Sequence, residues 1–142
     1  MNKAIERDLS IRSENIQRIY GYYINHKFLV NRRYQRKLVW SLEEKRAFID
    51  SIEKGFPVPL ILLAELINDG IQVYEIIDGM QRLNAIMGFI DGEFDLNGYY
   101  FNLETMAETK LLADKGILDQ KEPKLSREVC TIIVGYVIPL SI

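Results

Sequence analysis

A mixed α/β fold of the α+β kind, in which helices flank a mixed sheet, is what this sequence predicts. Three observations lead there. Apolar periodicity switches repeatedly between helical spacing and short uninterrupted runs, and no internal repeat accompanies it. Ser41-Leu42-Glu43-Glu44 has the form of a capping box and so marks a helix start. Asp78-Gly79 joins the apolar run 73–77 directly to a helical pattern, which is a strand-turn-helix junction.

Taken in order, the first helix is expected over 13–23, where Ile16, Ile19, Tyr20 and Tyr23 share one face and point into the core. A short strand over 28–30 then delivers the basic loop 32–37. The capping box starts the next helix at Leu42, with Leu42, Phe48, Ile49 and Ile52 on its buried side and Gly55 ending it in the left-handed conformation. Pro57 and Pro59 force an extended approach to a strand over 60–65 that reads as buried on both faces. Asn68-Asp69-Gly70 is a turn, and the strand 72–77 follows.

The helix after Gly79 carries Leu83, Ile86, Met87 and Ile90 at helical spacing, so the Asp-Gly junction lies at the carboxyl end of a strand. A hairpin is expected around Asn97-Gly98 within 94–101, and a helix over 103–115 closes at Gly116. The polar stretch 114–127 reads as a mobile connection. A last strand over 129–138 enters the sheet, with Pro139 marking its end.

Composition bounds the class. With 142 residues, 48% hydrophobic and 27% charged, the chain suits one compact domain with a modest core over about 10–137. A net charge of −2 argues against a protein that coats nucleic acid non-specifically, and leaves local basic patches open. The single Cys130 lies in the apolar run 129–138, so no intrachain disulfide and no cysteine-rich metal site can form, and the thiol reads as buried and structural. No signal peptide is apparent in the polar N-terminus, and no apolar run approaches the roughly 20 residues of a membrane span. A reducing cytoplasm is the expected location, without a membrane partner.

Several residues carry little chemistry by themselves. His26 is the only histidine, which excludes an HNH nuclease arrangement and a histidine-rich zinc site within the chain, and it reads as a surface residue. Asp91, Glu93 and Asp95 lack the ligand spacing of a calcium loop and read as turn and hairpin surface.

The stretch Asp78-Gly79-Met80-Gln81-Arg82 carries more. Gly79 lets the backbone approach a ligand closely, and the first helical N–H groups have no intrahelical partner and attract anions. Arg82 adds a planar guanidinium suited to phosphate oxygens, and Asp78 is able to hold a magnesium ion or a water molecule. The plainer reading is a corner in which Asp78 caps the helix and Arg82 is a solvated charge. Upstream, Arg32, Arg33, Arg36 and Lys37 interleave with Tyr34, a pattern that suits nucleic acid, a nucleotide base or simply water.

Together the two segments resemble the N-terminal domain of GmrSD-type restriction proteins, in the ParB/sulfiredoxin-like superfamily. The residues that carry the likeness are Tyr34-Gln35-Arg36, Trp40, Gly55-Phe56-Pro57-Val58-Pro59 and Asp78-Gly79-Met80-Gln81-Arg82-Leu83. Gly79, Arg82 and Ala85 also fit the Gly-x-x-Arg-x-x-Ala pattern of ParB, and the likeness covers roughly 10–137. Met80 departs from it, standing where the family usually carries glutamine.

The resemblance implies a ParB/sulfiredoxin-like sheet and a nucleoside triphosphate site. Catalytic roles would fall to Asp78, Gln81 and Arg82, and nucleotide contacts to Tyr34, Gln35, Arg36, Gly79, Met80 and Arg82. Asp78 would place magnesium, and hydrolysis would accompany recognition or cleavage of modified foreign DNA in phage defence. The family's larger members continue into helical and nuclease regions, so a separate nuclease domain or subunit is an expected partner. Two other classes stay open: a non-catalytic nucleotide-binding module, and a regulatory module that binds DNA through the basic loop without nucleotide.

Overall fold

The computed structural model describes residues 11–30 and 39–142, and the loop residues Tyr34, Gln35 and Arg36 lie outside them. Five strands form one mixed sheet: β1 (Ile11–Asn15), β2 (Phe28–Val30), β3 (Ile61–Asn68), β4 (Ile71–Asp78) and β5 (Val137–Ser141), in the order β1-β5-β3-β4-β2. The outer pairs differ in sense, since β1 runs antiparallel to β5 whereas β2 runs parallel to β4. In the centre, β3 is antiparallel to β4 and parallel to β5. Helices α1 (Ile16–Ile24), α2 (Leu42–Glu53), α3 (Met80–Ile90), α4 (Ala107–Asp114) and α5 (Arg127–Gly135) complete the fold, with a 3₁₀ turn at Leu103–Thr105. This is an α+β domain.

Local signals account for many of these elements. Ser41 Oγ accepts from the Glu44 N–H at 3.1 Å while Glu44 Oε1 accepts from the Ser41 N–H at 2.9 Å, so two donors at the start of α2 are satisfied reciprocally. Gly55 follows that helix at φ 76°, as expected of a left-handed stop. Asp69 and Gly70, both at positive φ, make the tight turn between β3 and β4. Asn97 and Gly98 do the same at the small hairpin, where Leu96 and Tyr99 exchange backbone hydrogen bonds.

The core forms where the helices meet one face of the sheet. Ile61 and Leu63 of β3, Tyr74 and Ile76 of β4, and Ile138 and Leu140 of β5 pack with Ile16, Ile19 and Tyr20 of α1, Phe48, Ile49 and Ile52 of α2, and the apolar side of α3. All four residues expected on the buried face of α3 are there, at 6% exposure or less. Burial of side chains of this size supplies most of the drive to fold.

Several expectations need correction, among them the burial of Tyr23 and Leu42, which are 40% and 46% exposed. The helix expected from residue 13 starts at Ile16, because the polar segment before it pairs with β5 as β1 and Asn15 caps the helix by accepting from the Arg18 N–H at 2.8 Å. Strand β3 is buried on one face only, with Leu62 and Leu66 left 38% and 40% exposed. The helix expected over 103–115 is broken at Met106, whose extended backbone separates the 3₁₀ turn from α4, and Thr109 Oγ1 ties the two by donating to the Leu103 carbonyl at 2.6 Å.

The stretch 114–127 is tied to the body of the domain. Tyr100 bonds to Pro123 and Leu125 through its backbone, and Gln120 bridges Phe101 and Leu103. Finally, the apolar run expected as a strand over 129–138 is mostly α5. Ser126 caps it by accepting from the Val129 N–H, and Cys130, Ile133 and Val134 bury one helical stripe. Pro139 lies inside β5 and does not end it. Pairing with β3 begins one residue later, at Leu140, so the missing N–H interrupts no ladder there.

Candidate functional site at the β4-α3 corner

Strand β4 ends on Asp78, paired with Leu62 beyond a register shift in which Ile77 is the extra residue of β4, and the chain turns at Gly79 into α3. Gly79 has φ 105°, a left-handed backbone that L side chains rarely adopt. A Cβ there would lie 3.0 and 3.1 Å from the two γ carbons of Ile61 and 3.3 Å from Arg82 Nη2, so any other residue would force these neighbours to give by a few tenths of an ångström. Gly79 is also the residue that precedes α3, and among the described residues no side chain caps the helix. Asp78 is therefore not the cap, and its carboxylate is 73% exposed.

The consequence for hydrogen bonding is direct. The Leu83 N–H is the first to find an intrahelical acceptor, the Gly79 carbonyl at 3.0 Å. Those of Met80, Gln81 and Arg82 precede it and receive none from within the helix, as at any uncapped N-terminus. Three adjacent donors with the positive end of the helix dipole behind them favour negative charge nearby.

Arg82 is not a solvated charge. Its side chain is 16% exposed, Nη2 donates to the Leu60 carbonyl at 2.8 Å, and the same nitrogen stands 3.7 Å from Asp78 Oδ2. Its Nε is buried without an acceptor among the described residues. An unmatched donor on a charged group is costly, so this nitrogen has hydrogen-bonding capacity that the described residues leave unused. The Leu60 carbonyl is delivered by the extended segment after Pro57 and Pro59, which is held in turn by Tyr136 Oη donating to the Phe56 carbonyl at 2.5 Å.

Gln81 faces another neighbour. Its Oε1 accepts from the Trp40 backbone N–H at 3.1 Å, which ties the first turn of α3 to the segment that leads into α2. Trp40 packs edge-on to Phe48 of α2, ring centroids 5.4 Å apart. Met80 is half-buried and packs its thioether stem against the core. The corner thus brings together Asp78, Gly79, Met80, Gln81 and Arg82 with Trp40 and Leu60, two neighbours whose contacts depend on tertiary structure.

Elsewhere the acids serve the fold. Asp91, expected as turn surface, accepts from Tyr20 Oη at 2.7 Å and Tyr23 Oη at 3.1 Å, so it joins the end of α3 to α1. Burial raises the Asp91 carboxyl above the usual range, against the lowering effect of both phenols, and burial with the Asp91 bond raises the Tyr20 phenol. Asp95 pairs with Arg46 of α2, which lowers its pKa, and it also accepts from the Gly98 N–H. His26 is exposed, and burial raises the thiol of the wholly buried Cys130.

A groove of ≈ 390 Å³ on the polar side of α1 is a weaker candidate. Its lining groups pair with one another, Gln17 with Glu108 at 3.2 Å and Asn25 with the Gly21 carbonyl at 2.9 Å, which leaves little polar capacity for a ligand. Among the described residues no helix is long and apolar enough to cross a membrane, and no three His, Cys, Asp or Glu side chains cluster as a metal site.

No curated protein and no solved structure matches the chain. A family model does: that of the GmrSD restriction endonuclease N-terminal domain, over residues 14–132, which takes in the corner, Trp40 and both proline-rich and glycine-turn segments. With so much of its length matched, the chain belongs to the family of GmrSD restriction endonuclease N-terminal domains.

Proposed function

We propose that this domain binds a nucleoside triphosphate at the β4-α3 corner, as part of a restriction system directed at foreign DNA. The observation that carries the reading is the start of α3, uncapped among the described residues, beside a largely buried arginine whose Nε has no acceptor among them. Phosphate oxygens match both needs. The Gly79 turn lets them approach the backbone, the N–H groups of Met80, Gln81 and Arg82 receive them, and the guanidinium offsets their charge. Exposed Asp78 would hold magnesium together with the phosphates themselves, the usual way this ion is bound beside a nucleotide.

Hydrolysis at such a site requires a water positioned in line with the terminal phosphate, a role open to Asp78 and to the Gln81 amide nitrogen. Tyr34, Gln35 and Arg36 would form the opposite wall, and a ParB/sulfiredoxin-like ancestry would account for both halves. A second reading, a binding module with little or no turnover, is favoured by Met80. Its thioether packs on the core and cannot donate a hydrogen bond to a phosphate or a water.

Calorimetric titration with ATP, GTP, CTP and UTP, with and without magnesium, tests the proposal. Binding of at least one triphosphate, weakened about tenfold or more in Arg82→Ala, is expected. Wild-type protein that binds none of the four, or an Arg82→Ala variant that binds as well as wild type, refutes it. Arg36→Ala separates nucleotide from nucleic acid. Weakened triphosphate binding places Arg36 at the pocket, whereas an effect confined to DNA affinity and its salt slope assigns the loop to a DNA surface.

A further inference from the structure

Gln81 occupies an unusual position in this corner, since its backbone and its side chain face different tasks. Its N–H is one of the three donors at the start of α3 without an intrahelical acceptor, while its Oε1 holds the Trp40 N–H at 3.1 Å. The donor being a backbone N–H, the assignment of oxygen to that position is unambiguous. Trp40 in turn leads within two residues to Leu42 and the start of α2, and its indole packs on Phe48 of that helix. One side chain therefore connects the anion-attracting turn of α3 to the entry of α2.

We infer that Gln81 is a positioning residue that couples occupancy of the corner to the placement of Trp40. An anion accepted by the N–H groups of Met80 and Gln81 draws on the first turn of α3, and the side-chain hydrogen bond transmits that shift to Trp40. Ligand binding is thereby registered at α2. The ligand-sensing half rests on the triphosphate reading above; the link between Gln81 and Trp40 does not.

Trp40 is the single tryptophan, so indole emission reports on it alone. In wild-type protein, saturation with whichever of the four magnesium triphosphates binds is expected to shift that emission. Gln81→Leu keeps the backbone N–H but cannot accept from Trp40, so the shift per molecule bound should be abolished at whatever affinity calorimetry gives. Gln81→Glu keeps an acceptor oxygen and should restore the shift per molecule bound, although its charge weakens affinity.

Amide hydrogen exchange of Trp40 in the ligand-free protein provides the independent arm. Exchange should be about tenfold faster in Gln81→Leu, the scale of one net hydrogen bond, and near the wild-type rate in Gln81→Glu. A full emission shift in Gln81→Leu overturns the coupling. Equal exchange rates in wild type and Gln81→Leu overturn the link itself. Absence of binding by all four triphosphates refutes the nucleotide reading and the sensing half with it, while the exchange rates still decide the link.

Discussion

Replacing Gly79 with alanine tests the geometry on which the corner depends. Two costs add. A left-handed backbone costs an L residue about 1–2 kcal/mol, and overpacking a filled site costs about 1–3 kcal/mol. Both apply here, because φ is 105° and the new methyl would meet Ile61 at 3.0 and 3.1 Å. Ile61 has little room to yield, being wholly buried and paired with Leu140 of β5. The expected loss is therefore about 2–5 kcal/mol, a large fraction of the roughly 5–15 kcal/mol that holds a domain together.

At roughly 3 °C per kcal/mol for a chain of this size, Tm should fall by about 6–15 °C, and the urea midpoint should fall with it. Gly21→Ala supplies the control. Gly21 lies within α1 at an ordinary helical φ, and a Cβ there meets nothing within 4 Å, so alanine should stabilise by about 0.5–1 kcal/mol. A Gly79→Ala variant within about 0.5 kcal/mol of wild type would refute the argument, since neither backbone strain nor the Ile61 contact would then be real.

Arg82→Ala should lower stability by about 1 kcal/mol through loss of the Leu60 bond, and lower triphosphate affinity by about 1.5–3 kcal/mol; urea melts and calorimetry at a temperature where both proteins are folded separate the two effects. Met80→Gln should raise single-turnover phosphate release by about a hundredfold with little change in binding, and a wild type that already turns over briskly would remove the ground for the binding-module reading. Asp91 gives a pH dependence of definite sign. Its pKa is raised in the folded state, so its contribution is fully present below the ordinary carboxyl range and is lost as pH rises through the raised value. Urea melts from pH 3 to 7 should show wild type losing stability relative to Asp91→Asn as pH rises, and a constant difference between the two proteins would contradict the burial argument.

Local chemistry was enough to read much of this protein from its residues. The capping box at Ser41, the Asp69-Gly70 and Asn97-Gly98 turns, the buried stripe of α3 and the glycine at the β4-α3 junction all depend on neighbours within a few residues. They appear where the pattern puts them. The run from Val129 shows the limit of such patterns. A continuous apolar stretch rich in β-branched residues suits a buried strand, and only packing of Cys130, Ile133 and Val134 against the other helices selects α5.

The functional corner divides in the same way. Its donors follow from a helix start after glycine, which the sequence alone reveals. Its side chains are set by partners far along the chain: Arg82 by Leu60, 22 residues away, Gln81 by Trp40, 41 away, and Asp91 by Tyr20, 71 away. Periodicity and spacing describe which residues share a face of one element. Which carbonyl a guanidinium reaches, or which N–H an amide oxygen holds, is decided only when distant segments pack and exclude water between them, and that is where tertiary structure turned a solvated charge into a largely covered one.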